Sequence, residues 1–314
     1  MNFQQLEYII AVNEHRHFAK AAAACHVAQP TLSMMIQKLE KELGIRIFNR
    51  ETVPVEPTKE GREIILRSRE LLLKAKQLKE YAGEMNNENK GALNMGVIPT
   101  LAPYLLPLFI PSFTVAFPLL KILIREMQTS EMIAKLKTGE LDVGLMSTPP
   151  PESKLAGLPL FYEDLYVYVS GDADIQPKKQ VKPKEIEIHK LWLLTEGHCL
   201  RNQVIDLCGI KAGNKHSAGL HYEAGNIETL INMADKSQGT TILPYLATRM
   251  LKKGQSSKLH VFADPVPSRE ISLVTLKDFP RKKLLENLRA SILGTIPDSM
   301  RRVNGKTNSA TEGQ

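Results

Sequence analysis

Cysteine is scarce in this chain: Cys25, Cys199 and Cys208 are all it has in 314 residues. Three thiols are too few for a disulfide-stapled secreted scaffold, and they lack the paired CxxC spacing of a zinc ribbon. Neither a metal centre nor a bound cofactor is expected. Uninterrupted apolar chain is also scarce. Leu101 to Leu120 carries no charge and approaches the roughly 20 residues that cross a bilayer, but Pro103, Pro107, Pro111 and Pro118 interrupt it. It reads as a buried helix, with no membrane partner. The first ten residues, MNFQQLEYII, have no basic stretch and include Glu7, so they do not form a secretory signal and the chain is expected in the cytoplasm. There is no phosphate-binding glycine loop, no HExxH and no GxSxG, which argues against an enzyme. Charge does not single out a partner either. The net charge is +7, yet Met1 to Thr58 holds six basic and six acidic residues, so any case for DNA must rest on pattern.

What is present is enough apolar chain, 43% of the residues, for about two ordinary domains of roughly 100 to 200 residues each. The first segment reads as helical throughout, from Phe3, Leu6, Tyr8, Ile9, Ile10 and Val12 into the alanine run Ala19 to Ala24. Small side chains there let two helices cross closely. A further helix starts at Pro30, which suits a first turn, and stops at Gly44, which suits a C-cap. Within it Leu32, Ile36, Leu39 and Leu43 make one buried stripe, while Thr31, Ser33, Met34, Gln37, Lys38 and Lys41 fall on the other face. After Phe48, NRETVPVEPTKEG predicts a short two-stranded wing.

From Thr58 to Met85 no proline occurs, and Ile64, Leu71 and Leu78 recur every seven residues, which predicts a long helix with a dimer seam. EMNNENK, Glu84 to Lys90, then marks a hinge. Beyond it strand-like and helical runs alternate: Leu93 to Ile98, Leu101 to Phe117, Lys121 to Arg125, Glu131 to Lys137 and Val143 to Met146. That order predicts a parallel sheet with covering helices. A second cycle takes Leu165 to Val169, Leu191 to Leu194, Ile227 to Ala234 and Thr241 to Leu243, and Ile271 to Leu276 reads as a strand returning to the first sheet. Asp172 to Lys190 reads as a loop. The expected organisation is a DNA-binding domain at 1–58, a linker helix and hinge at 59–89, and two α/β lobes over 90–297. Lobe I takes about 90–163 and 268–297, lobe II about 164–267, and 298–314 forms a disordered tail.

Two short helices joined by a tight turn can place the start of the second in a major groove, where polar side chains meet base edges. Gln29, Thr31, Ser33 and Gln37 have the donors and acceptors for this, while Lys38 and Arg50 suit phosphates, which position without specifying sequence. Periodicity alone equally permits an ordinary helical bundle with a solvated polar face. The residues AAAACHVAQPTLSMMIQKLEKELGIRIFNR, followed by EPTKEG, closely resemble the N-terminal signature of LysR-type transcriptional regulators, and the likeness extends over nearly the whole chain. It implies an all-α winged helix-turn-helix, including Pro30 in its DNA face, and a linker helix that dimerises. It also implies an α/β regulatory domain of two Rossmann-like lobes, built like a periplasmic binding protein. Such regulators bind an operator in double-stranded DNA as homodimers or homotetramers and act on RNA polymerase.

The other informative stretch is EGHCLRNQVIDLCG, Glu196 to Gly209. A thiolate is favoured by nearby positive charge and by a helix N-terminus. Cys199 has His198 beside it, Arg201 two residues on, and Gly197 where a helix could begin. If Cys199 to Cys208 were continuous helix, the Cα separation would be about 13.5 Å at roughly 1.5 Å per residue, whereas a disulfide needs less than about 7 Å. Bonding would demand local unwinding. Two inert core cysteines are the commoner outcome for residues like these taken alone. HCLRNQ with a cysteine nine positions after the first resembles the peroxide-sensing members of the LysR family. EHRHF at Glu14 to Phe18, IPT at Ile98 to Thr100, PYLLP at Pro103 to Pro107 and IETL at Ile227 to Leu230 add to the likeness.

That resemblance implies Cys199 as peroxidatic and Cys208 as resolving residue, with Thr100, Thr129 and His198 lining the peroxide pocket. Arg201, His221 and Arg269 would support them, and thiol reductants such as glutaredoxin or thioredoxin would reset the pair. The implied output is activation of oxidative-stress defence genes. The chain departs at Asn202, where those members carry aspartate. Two rivals stand beside this reading. One is a LysR-type regulator whose cleft holds a small organic anion, cradled by Thr100 and Thr129 near helix starts. The other is a thiol peroxidase fused to a DNA-binding module.

Overall fold

A computed structural model describes residues 1–85, 90–147, 152–171, 180–186, 190–210 and 224–301. Its contacts divide the chain into two units, Met1–Glu88 and Asn89–Gln314. The first unit opens with α1 (Phe3–His15), α2 (Phe18–Ala24) and α3 (Gln29–Leu43). Asn2 caps α1 through a reciprocal pair with Gln5, and the His17 ring accepts the first free amides of α2. Pro30 occupies the first turn of α3, and Gly44, at φ 66°, closes it in the left-handed conformation that glycine adopts without strain. Ala21 and Ala22 are buried where α2 meets its neighbours, and Leu32, Ile36 and Leu39 are fully buried on α3.

The wing is β1 (Phe48–Asn49) paired antiparallel with β2 (Glu56–Pro57). Thr58 then turns the chain into α4 (Lys59–Met85) by accepting the Gly61 amide at 2.9 Å. Gly61 has no alternative there, because a Cβ would collide with the Ile47 carbonyl. Along α4, Leu71, Leu78 and Met85 are exposed at seven-residue spacing, as are Leu66 and Tyr81. The segment 86–89 within the expected hinge lies outside the described residues.

The second unit begins with β3 (Gly91–Val97), α5 (Ala102–Ala116), β4 (Leu120–Glu126), α6 (Thr129–Thr138) and β5 (Val143–Ser147). Pro103, Pro107 and Pro111, four residues apart, all lie on the exposed side of α5, while Tyr104, Leu105, Phe109 and Phe113 face the core. Then follow β6 (Leu155–Val169), α7 (Cys199–Cys208), α8 (Ile227–Ser237), β7 (Thr240–Pro244), α9 (Tyr245–Thr248), β8 (Leu259–Val261), β9 (Ser268–Leu276), α10 (Lys282–Thr295) and α11 (Asp298–Arg301). The strand order is β4-β3-β5-β9-β6-β7, with β8 also on β6. Among the described residues no helix is long and apolar enough to cross a membrane.

Two α/β lobes are present, but the parallel sheet expected from the order of elements is mixed. Among the strands of the described residues, parallel ladders join β3 to β4 and to β5, while every ladder of β6 and β9 is antiparallel. The reason is topological. β6 leaves the first lobe and continues without a break into the second, and β9 returns beside it in the opposite sense. Leu165 to Val169 is therefore the far end of one 15-residue strand that runs through the expected lobe boundary at 163/164. Leu191 to Leu194 is not a strand: it contributes single bridges from Leu191 to Thr240 and from Leu194 to Ala224, and the Leu194 carbonyl accepts Arg201 at 2.7 Å. Within the expected loop at 172–190, Val181 is buried and bridges Phe262; residues 172–179 and 187–189 lie outside the described set. The tail expected to be disordered from 298 begins with α11, because Met300 is buried in the core; 302–314 lie outside the described residues.

Where the lobes join, Glu163 on β6 stands opposite Arg269 on β9, both fully buried. The Arg269 guanidinium donates to the Glu163 carboxylate at 2.8 Å, to the Thr100 hydroxyl at 3.0 Å and to the Thr100 carbonyl at 3.1 Å. The second Glu163 oxygen accepts the Leu246 amide at 2.7 Å. Each partner thus reaches beyond the pair, Arg269 toward lobe I and Glu163 toward lobe II. Removing one member of such a pair leaves an uncompensated buried charge. Glu163→Ala is expected to lower the unfolding free energy of the second unit by about 3–5 kcal/mol, read by urea titration; an unchanged midpoint would show that the pair contributes nothing.

Candidate redox site and DNA face

Gly96 and Gly144 sit where α6 crosses β3 and β5. A Cβ on Gly144 would lie 2.7 Å from the Met132 sulfur, and one on Gly96 2.9 Å from Leu141. These two glycines let Met132 and Leu136 seat fully buried on the sheet, which fixes the height of the α6 N-terminus. The first residue of α6 is Thr129, and the first residue of α7 is Cys199. Their side chains meet: Thr129 Oγ1 and Cys199 Sγ are 2.7 Å apart, one sharing a proton with the other. Two helix N-termini, each with unpaired amides and a positive dipole end, therefore converge on one sulfur.

Other contacts bind the start of α7 to lobe I. The Gln128 side chain donates to the Glu196 carbonyl at 3.1 Å, and Gly197, at φ 91°, lies so close to Gln128 that a Cβ would collide with its amide. One turn further along α7, Gln203 donates to the Ser147 hydroxyl at 3.0 Å, while its own carbonyl oxygen is buried without a partner. Gln128, Ser147 and Gln203 escaped the sequence reading because nothing in their local pattern separates them from solvated polar residues. On the far side of the cleft, the Tyr104 hydroxyl donates to Glu228 at 2.6 Å; burial and this carboxylate push the phenol far above its ordinary range.

His198 does not supply charge as expected. His198 is buried, and desolvation lowers its pKa, so it is a neutral imidazole at neutral pH. Arg201 donates to the Leu194 carbonyl, which ties it to the approach to α7. Thr100 and Arg269 are brought together at the lobe junction, and their contact adds Glu163 to the set. A lone glutamate in an apolar strand, with an arginine on the returning strand, was the available signal for it. His221 lies outside the described residues.

Cys199 and Cys208 are both free thiols at the two ends of α7. Ten continuous helical residues hold their Cα atoms about 13.5 Å apart. Burial pushes the Cys208 thiol up to about 11, so it is protonated at neutral pH. Cys25, half-buried at the end of α2, is also raised, by burial and by Glu7 and Glu14. Among the described residues no group of three or more histidine, cysteine or carboxylate side chains could hold a metal.

On the first unit, Gln29, Pro30, Thr31, Gln37 and Lys38 are exposed along α3. Ser33 and Arg50 are placed differently. Arg50 is half-buried against the Phe18 ring, donates to the Ser33 hydroxyl at 3.1 Å and pairs with Glu40 at 3.1 Å. Glu40 in turn accepts the Ile47 and Phe48 amides. This network locks the wing to α3, so Arg50 and Ser33 each already have a partner within the protein.

Residues 3–62 match the family described as bacterial regulatory helix-turn-helix protein, lysR family, and residues 86–296 match the LysR substrate binding domain. The chain is similar to the hydrogen peroxide-inducible genes activator of Haemophilus influenzae, 36% identical over 292 residues, covering 93% of this chain and 96% of the relative. It is also similar to the DNA-binding transcriptional dual regulator OxyR of Escherichia coli K12, at 36% identity over 93% of this chain and 95% of that one. A full-length OxyR variant from Pseudomonas aeruginosa has a similar structure, with a TM-score of 0.76 and 32% identity over 94% of this chain and 99% of that chain. The chain belongs to the LysR family of bacterial helix-turn-helix regulators.

Proposed function

We propose that this chain is a DNA-binding transcription activator that senses hydrogen peroxide through a reversible Cys199–Cys208 disulfide. The observation that carries the reading is the placement of Cys199, whose sulfur meets the Thr129 hydroxyl where two helices begin. The Cys199 thiolate attacks one peroxide oxygen, the O–O bond breaks, and hydroxide leaves and takes up a proton as water. Cys208 then attacks the sulfenic sulfur, its thiol proton departs with the displaced hydroxyl as a second water, and the disulfide forms. Two thiols have lost two electrons to one peroxide. Thr100, Thr129 and His198 line the peroxide pocket, with Arg201, His221 and Arg269 in support, and His198 acts there as a neutral hydrogen-bonding group.

The disulfide is incompatible with the α7 geometry, since about 13.5 Å must close to less than about 7 Å. Oxidation therefore unwinds α7 and breaks its polar ties to Thr129 and Ser147, and disturbs the neighbouring contact of Gln128 with the Glu196 carbonyl. The output is a change in how two dimers, joined along α4, sit on an operator, read by RNA polymerase in the cytoplasm. Thiol reductants such as glutaredoxin or thioredoxin reverse it by exchange. The division of labour is a winged helix-turn-helix at 1–58, a linker at 59–89 and the redox lobes at 90–297. The rival occupant, an organic anion held by Thr100 and Thr129, would meet one hydroxyl that accepts from Arg269 and another that shares a proton with Cys199.

Stoichiometric peroxide added to the reduced protein, followed by alkylation and peptide mapping, is expected to yield a Cys199–Cys208 cross-link with the loss of two hydrogens. Cys199→Ser should abolish it and Cys208→Ser should stop at sulfenic acid. Both thiols remaining alkylatable would overturn the reading. In reduced Cys199→Ser, the rate of Cys208 alkylation is expected to keep rising about tenfold per pH unit up to pH 10, because only the thiolate reacts. A plateau near pH 9 would mean that folding does not hold this thiol away from water.

A further inference from the structure

At about 100° per residue, the buried stripe of α3 (Leu32, Ile36 and Leu39) is centred about 170° round the helix axis from Met34. Met34 therefore lies near the pole of the DNA face, with Lys41 two turns on along the same line, and it is a large apolar side chain, 61% exposed. Its surroundings are polar and cationic: Thr31, Gln37, Lys38 and Lys41 are all exposed beside it. The acids of the same helix are neutralised within the protein, Glu40 by Arg50 and Glu42 by the N-terminal ammonium at 2.6 Å. Lys38 and Lys41 have no ion pair among the described residues. The pole of α3 is therefore an apolar tip inside a positive rim.

That pairing fits the floor of a major groove between two phosphate rows. Polar base edges there offer donors and acceptors, and the one apolar group is the C5-methyl of thymine. A methionine is unbranched and polarisable, able to follow the position of a methyl group without a fixed hydrogen-bond geometry. We infer that Met34 is a specificity-determining residue that reads a thymine methyl in each operator half-site, while Lys38 and Lys41 hold the flanking phosphates. This rests on the DNA-binding reading above. It predicts a preference that no hydrogen-bond inventory of α3 would give, since Met34 has no donor to present.

The test uses the full-length reduced protein. A random-sequence duplex pool is enriched on it, and in the tightest-binding duplex each thymine is replaced singly by deoxyuridine, which differs only in lacking the methyl. Affinities are measured for the wild type, Met34→Ala and Met34→Leu. At one thymine per half-site, uridine is expected to weaken the wild type roughly fourfold, the scale of one buried methyl group. Met34→Ala should bind less tightly and be indifferent to uridine at that thymine alone, while Met34→Leu keeps the sensitivity. Equal uridine penalties in the wild type and Met34→Ala at every thymine would overturn the assignment of Met34 and leave DNA binding standing. Failure of any sequence to enrich would overturn the DNA-binding reading and the assignment together.

Discussion

The second unit depends on one buried ion pair. Two strands carry the chain between its lobes, and at their facing positions stand Glu163 and Arg269 with no access to water. Strand geometry alone would let two lobes pivot about such a double crossing. The pair removes that freedom, because Arg269 is fastened to Thr100 on one side and Glu163 to the Leu246 amide on the other. A charge buried this deeply is tolerated only while all its partners stay in place, so the junction favours one relative setting of the lobes. Contacts across the cleft, Thr129 with Cys199, Gln128 with Glu196 and Tyr104 with Glu228, are consistent with that setting.

Against this fixed junction, α7 is the element with two incompatible demands. As a helix it presents Cys199 at its N-terminus and satisfies its own backbone. As a partner in a disulfide it cannot remain a helix. Thr129 meets Cys199 at its first residue, Gln203 reaches Ser147 one turn on, and the half-buried Cys208 thiol lies at its last residue, so a bond between the two ends acts on the part of α7 that touches lobe I. Cys208 continues the Leu200 and Val204 stripe of α7 against the core, and His198 is buried just before the helix begins, so opening the helix changes the surroundings of both.

Local pattern made the first unit legible. The Leu32, Ile36 and Leu39 stripe, Pro30 and Gly44 each state a helical rule that holds whatever surrounds it, and the wing follows from prolines flanking a short alternation. The alternating α/β order was equally readable, and α7 was legible only as a helix that could begin after Gly197. What the sequence hid was non-local. Antiparallel pairing of β6 and β9 depends on a strand that does not stop at the lobe boundary, and no residue between Leu155 and Val169 announces that continuity. His198 looks cationic beside Cys199 in the sequence, yet burial neutralises it, and Arg201 is tied to the Leu194 carbonyl by a contact that its local pattern does not show. Arg50 looks like a phosphate contact until Phe18, Ser33 and Glu40 are placed around it.

In the mechanism proposed for Cys199 and Cys208, the ten-residue length of α7 sets a clock. A sulfenic acid formed on Cys199 cannot meet Cys208 until the intervening turns come undone, so its lifetime is the waiting time for that opening. During this interval a second peroxide can carry the sulfur on to sulfinic acid, from which a thiol reductant does not return it. A more stable α7 would give fewer false alarms and more sulfur lost under a heavy dose; a looser one would fire early and survive. The helix therefore encodes the trade between threshold and durability, separately from the chemistry of the sulfur it carries.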